Sequence, residues 1–161
     1  MTDELRRQLV QLLRGTQAHM GFTDAMADLP AWAINARGPN ATYTPWHLVE
    51  HLRITQWDML RYIEDPVGHV SPDWPIGYWP APDAETDEAG FRASVKGFRA
   101  DLRAMEAIAL DERRDLYAVL EGTPGHTPLR GLMIIGNHNS YHIGEFASLR
   151  QVMGSWPPGH E

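Results

Sequence analysis

The chain has 161 residues, enough for a single buried core, and reads as one domain over residues 1–161. It carries 14 Lys/Arg against 21 Asp/Glu, a formal charge of −7 with the two signs mixed along the chain, so no basic cluster marks a nucleic-acid footprint. There is no cysteine, which excludes disulfide scaffolds, thiolate zinc sites and a cysteine nucleophile.

Residues 2 to about 28 pattern as a first helix. Thr2 is placed to cap it, and Asp3 and Glu4 suit the positive N-terminal end of the helix dipole. Leu5, Leu9, Leu12, Leu13, Met20 and Met26 give a three-four repeat. His19 lies near that stripe as a packing or hydrogen-bonding residue. The start is charged and amphipathic, unlike a signal peptide, and no apolar run reaches the ~18 residues of a membrane span. A soluble cytoplasmic protein, with no membrane partner, is expected.

Pro30, Gly38, Pro39 and Asn40 mark residues 29–43 as a loop. Thr44-Pro45 then opens a second helix, from residue 46 to about 64, with Leu48, Leu52, Thr55, Met59, Tyr62 and Ile63 on one repeat. It carries two histidines four residues apart. His47 falls in the first turn, near solvent. His51 is a turn deeper and level with the apolar stripe. Asp58 returns to a similar face, where a solvated acid is the plainer expectation.

Residues 65–83 hold five prolines, two glycines, two tryptophans and a tyrosine. That proline density forbids a regular helix, and the aromatics argue against a disordered linker. An ordered loop is expected, either a cap on the core or a pocket wall lined by Trp74, Tyr78 and Trp79. A helix of about twenty residues is roughly 30 Å long, so His51 lies some 20 Å from the loop's start. The loop must fold back along the bundle to meet it. His69 reads as an ordinary loop residue.

A third helix starts near Thr86, with Asp87 and Glu88 in its first turn, and runs through Phe91, Val95, Phe98, Leu102, Met105, Ile108 and Ala109. Residues 111–114 are a charged break, residues 115–122 a short turn or helix, and residues 122–126 a Pro/Gly loop. The last helix spans about residues 127–154. Thr127 suits the N-cap, Pro128 the first helical position, and Gly154 the left-handed residue after the end. Leu132, Ile135, Phe146, Leu149 and Met153 form its apolar stripe. His138 and His142 sit on or beside it, neighbours on one face at i and i+4, with Glu145 in the same sector. Two such imidazoles can share one divalent metal, but need a third ligand from elsewhere; depth favours His51 over His47. Four long helices with short to medium connections imply an all-α four-helix bundle, with the aromatic, proline-rich loop between its second and third helices.

Three segments carry a resemblance. TPWHLVEHLRITQWDML, SPDWPIGYWP and NHNSYHIGEFASLRQVMG resemble, respectively, the second-helix segment, a loop of one branch and the closing H-x-x-x-H-x-G-[QE] helix of the DinB-like family of bacterial four-helix-bundle metalloproteins. The resemblance implies that His51, His138 and His142 are metal ligands, with Glu145 standing where many members have glutamine. It also implies a homodimer. Members of known activity include thiol-dependent transferases and isomerases, and the family's name is no sign of DNA binding.

An open three-histidine site is a catalytic arrangement, and imidazole accepts Zn²⁺, Ni²⁺, Fe²⁺ and other metals. With no cysteine in the chain, a thiolate would come from a low-molecular-weight cosubstrate. Glu145 and Asp58 are the nearest candidates for a proton acceptor or a ligand's hydrogen-bond partner. Two functions stay open. One is a metal-dependent enzyme performing transfer or hydrolysis on a small molecule. The other is a non-catalytic metal-binding or sensing bundle, its site closed by a fourth side chain such as His47.

Overall fold

Both Thr-Pro pairs open helices. Thr44 Oγ1 accepts from the His47 N–H at 3.1 Å, and Thr127 Oγ1 from the Arg130 N–H at 3.2 Å, with proline at the first helical position each time. The computed structural model describes residues 3–158, so the cap expected at Thr2 lies outside the described residues. Helices α1 (Asp3–Arg14), α2 (Phe22–Met26), α3 (Pro45–Glu64), α4 (Glu88–Leu110) and α5 (Pro128–Met153) follow in order. Short 3-10 turns lie at Ala31–Ala33 and Ile76–Tyr78, and the described residues contain no strand. Residues 115–122 form turns.

The first helix differs from its expected extent. It stops at Arg14, and a separate five-residue α2 follows. Gly15 takes φ +64°, the left-handed conformation that ends helices, and its N–H bonds the Gln11 carbonyl at 3.0 Å. The apolar repeat ran through this break because Met20 and Met26 still pack inward on the far side of it. At the other end of the chain Gly154, at φ +63°, stops α5 as expected.

Helices α1, α4, α3 and α5 form a ring in that order, each packed on its two neighbours. Helix α3 runs antiparallel to α5: Ile63 near its end meets Gly131 near the start of α5, while His51 near its start meets His142. A methyl group at Gly131 would come within 2.7 Å of the Ile63 side chain, so glycine there sets how closely the two helices approach. One core cluster gathers Leu9, Leu13, Leu60, Met105 and Leu132, and the other Phe22, Leu48, Leu52, Phe98 and Phe146. Between these levels the amide of Asn139 donates to Gln56 Oε1 at 2.8 Å, and Gln56 Nε2 to the Phe98 carbonyl at 2.6 Å. Buried amides must be paired in this way or they cost stability.

Arginines finish three helix ends, where carbonyls lack helical partners. Arg6 donates to Ala109 O at the end of α4, and Arg114 to Ile63 O at the end of α3. Arg150 donates to Ala25 O at 2.8 Å and Ala27 O at 2.6 Å after α2. Arg150 is wholly buried and also holds Ser155 O at 2.8 Å. It thereby ties the end of α5 to the short helix that the Gly15 break created.

Candidate metal centre

The i,i+4 spacing on α5 and the inward register of α3 bring three imidazoles together. His51 Nε2 lies 3.1 Å from His138 Nε2 and 3.2 Å from His142 Nε2, and one ligand atom from each of the three falls within a single 4.8 Å cluster. Two of the rings are held from behind by a hydrogen-bond partner. His51 Nδ1 donates to the Tyr78 carbonyl at 2.8 Å, and His142 Nδ1 to Glu145 Oε2 at 2.8 Å. His138 Nδ1 is buried beside Asn139 with no hydrogen bond of good geometry.

These bonds fix the chemistry of the cluster. A carbonyl or carboxylate only accepts, so His51 and His142 carry their protons on Nδ1 and, when neutral, present bare lone pairs on Nε2. Burial pushes the His51 pKa down to about 4, with the neighbouring His142 adding to the effect against the bond to Tyr78. Burial, then His142 and His51, push His138 down to about 4 as well. Two lone pairs 3.2 Å apart have no donor between them and repel. A cation relieves that contact. Nitrogen ligands at about 2.0–2.1 Å that subtend roughly 90–110° stand about 2.8–3.4 Å apart, which the observed separations match. His51, His138 and His142 could therefore hold a divalent metal ion.

Aromatic residues close one side. The Trp79 ring stacks on His51 at 3.7 Å between centroids and 3° between planes, and Tyr43 stacks on Trp79 at 4.1 Å. Trp79 also meets His142 edge-on at 5.9 Å. The loop of residues 65–83 has thus folded back over the bundle to the histidines. Its three expected wall residues divide. Trp79 covers His51, Tyr78 supplies a main-chain carbonyl, and Trp74 is 80% exposed and meets the Tyr78 ring edge-on. A groove of about 350 Å³ adjoins the centre. Its walls include Tyr43, Leu48, Glu145, Ser148 and Leu149, and none of Trp74, Tyr78 or Trp79.

Asp58 is not the solvated acid its spacing predicts. It is buried, with Oδ2 accepting from the Tyr78 hydroxyl and Oδ1 from His69 Nε2, both at 2.7 Å. Burial and the bond to Asp58 push the Tyr78 pKa up to about 12, so the hydroxyl keeps its proton. His69 is then more than an ordinary loop residue, since it and Tyr78 fasten the loop to α3 through one carboxylate. His47 also departs from expectation. It is buried rather than near solvent, because the loop before α4 lies over it: Nε2 donates to Ala84 O at 2.9 Å, and Nδ1 accepts from Thr44 N at 3.5 Å. Both ring nitrogens are engaged away from the cluster. His19 bonds Met20 O and Ser140 Oγ, as a hydrogen-bonding residue should.

A family model of the DinB superfamily matches residues 3–146, the stretch that contains three of the bundle helices, most of α5 and all three histidines. The chain belongs to the DinB superfamily. No curated protein and no solved structure matches it significantly. In this DinB-superfamily chain, sequence reasoning named the three histidines that the structure brings together and Glu145 behind His142, but not the groups near the other two rings. Nothing in the pattern marks the Tyr78 carbonyl, since a main-chain acceptor leaves no residue-type signal. Asn139 did leave one: an amide on the buried side of α5, between His138 and the apolar Ile143, has to find a partner.

Proposed function

We propose that this protein is a metal-dependent enzyme that acts on a small molecule at the three-histidine centre, by thiol-dependent transfer or by hydrolysis. The observation that carries the reading is the convergence of three Nε2 atoms, two of them with their protons held on the far side of the ring. A bound zinc, nickel or iron ion would supply Lewis acidity and lower the pKa of a coordinated water or thiol. The chain's own residues supply orientation and exclusion. Tyr78 O and Glu145 fix two rings in the ligating tautomer, and partners of this kind orient metal ligands. Trp79 and Tyr43 keep water from the covered face of His51. Glu145 stands between His142 and the groove, so its carboxylate is placed to hold a substrate proton. Asp58 is less suited, because both its oxygens are occupied.

A non-catalytic metal-binding or sensing bundle is the second reading. It calls for a fourth side chain to close the centre. His47, the applicant that the sequence offers, spends both nitrogens elsewhere, which supports the enzyme. A thiol, where one is used, comes from a low-molecular-weight cosubstrate, since the chain has no cysteine. A homodimer in the cytoplasm belongs to the same proposal; within the described residues no helix is long and apolar enough to cross a membrane.

The test is to load purified protein with zinc, nickel or iron, measure bound metal, and screen thiol-transfer and hydrolase substrates. One metal per chain and turnover lost in His138→Ala are expected. Metal bound without turnover across the panel would favour the sensing reading, and no metal bound would sink both.

A further inference from the structure

A second groove lies away from the histidines, between α2 and α4. It encloses about 500 Å³, within the size range of small-molecule sites. Its floor is apolar, formed by Met26, Phe91 and Val95. One wall carries Arg92, Lys96, Arg99 and Arg103, and no acidic residue lines it. These cations sit at spacings of four, three and four, one continuous face of α4, and span about 16 Å at 1.5 Å per residue.

This is not an average solvated face. The chain as a whole has a charge of −7, yet the groove concentrates four positive charges against none negative. Elsewhere nine of the ten arginines are engaged: Arg7, Arg14, Arg53, Arg61 and Arg113 pair with carboxylates, and Arg6, Arg37, Arg114 and Arg150 donate to main-chain carbonyls. Along the groove only Arg92 has an ion pair, with Glu88 at 3.0 Å. Among the described residues no carboxylate pairs with Lys96, Arg99 or Arg103. Unpaired like charges along one helix face repel each other, a cost that an anion lying between them would remove.

We propose that this groove binds a small amphipathic anion: an elongated molecule with at least two negative charges, on phosphate or carboxylate, for the basic wall and an apolar segment for the Met26–Phe91–Val95 floor. One carboxylate would use one or two of the cations; the three unpaired ones, Lys96, Arg99 and Arg103, spread over about 10 Å, suit a ligand with more than one negative charge. The net charge of −7 disfavours a nucleic-acid duplex, which needs a broad positive surface rather than a single wall.

The test uses dodecyl phosphate, inorganic pyrophosphate and an uncharged dodecyl glycoside as probes, titrated calorimetrically into the full chain. Dodecyl phosphate is expected to bind, pyrophosphate more weakly, and the glycoside not measurably. In a triple Lys96→Gln/Arg99→Gln/Arg103→Gln variant, dodecyl phosphate affinity should fall roughly tenfold or more, and raised salt should weaken the wild type toward it. A control with the same loss of charge elsewhere, Arg7→Gln/Arg113→Gln/Arg130→Gln, should bind as the wild type does. The replaced side chains are exposed, so both variants should fold, as circular dichroism can verify. The proposal is overturned if neither charged probe binds, if the two triple variants weaken equally, or if the glycoside binds as well as dodecyl phosphate. It is also overturned if the chain associates with phosphatidylglycerol vesicles while ignoring the monomeric probes.

Discussion

Removing the Asp58 carboxylate should reach the candidate metal centre without touching a histidine. Asp58 accepts two hydrogen bonds of 2.7 Å, from the Tyr78 hydroxyl and from His69, and is buried. Bonds to a charged acceptor are worth about 1.5–3 kcal/mol each, and a buried hydroxyl left unpaired costs a further ~1–3 kcal/mol. Allowing for a water that repairs one of them, Asp58→Ala should cost about 3–5 kcal/mol. For a chain of this length that is a fall in Tm of about 6–20 °C. The same loop residue turns its carbonyl to His51 Nδ1, so loosening it frees a ring that would ligate the proposed metal. Loss of such an orienting partner typically weakens metal binding about 10–100-fold. Tyr78→Phe keeps the carbonyl and should show a smaller loss of both kinds. The double variant should cost less than the sum of the two single ones, because they break one shared bond. Thermal unfolding of metal-free protein and competition for zinc against a chelator measure the two effects. An Asp58→Ala protein within 2 °C of the wild type, or one that is destabilised but binds zinc with unchanged affinity, would refute the coupling of loop to ligand.

Three further outcomes are expected. His51→Ala, His138→Ala and His142→Ala should each abolish metal uptake, whereas His47→Ala should lower Tm and keep its metal; equal metal loss in His47→Ala would place that ring in the coordination sphere. In the metal-free protein, His51 and His138 are held neutral down to about pH 4 while the unfolded chain protonates near pH 6.5. Stability is therefore full above pH 6.5 and is lost as pH falls from 6.5 toward 4, by roughly a few kcal/mol in all. A urea midpoint that stays flat between pH 6.5 and 5, above the carboxylate range, would contradict this. Trp79 lies in van der Waals contact with His51, so nickel binding should quench its fluorescence. The quench should shrink markedly in Trp79→Phe, and one of undiminished size would show that another tryptophan reports the metal.

The helices were legible because caps and periodicity are local. Thr44, Thr127, Asp87 and Gly154 act through hydrogen bonds or φ values within a few residues of themselves. The histidine pair on α5 was legible for the same reason, since i and i+4 share a helix face wherever the helix goes. One local signal was overrun: Gly15 ended α1, but the methionines beyond it continued the apolar repeat into α2.

What the sequence left open concerns partners far apart along the chain. That His51 faces His138 follows from the antiparallel packing of α3 on α5, not from either segment. The burial of His47 depends on the chain at Ala84 lying over it, 37 residues away, and Asp58 became an anchor only when Tyr78 returned across 20 residues. The basic wall of α4 is visible as a spacing, but only α2 laid beside it makes a groove. A helical period specifies which residues share a face, whereas desolvation and pairing depend on what packs against that face. The residue types and their spacing determined the four helices and proposed the ligands. The tertiary structure decided the tautomers, the covered ring and the buried carboxylate, because each is set by an atom contributed from a distant part of the chain.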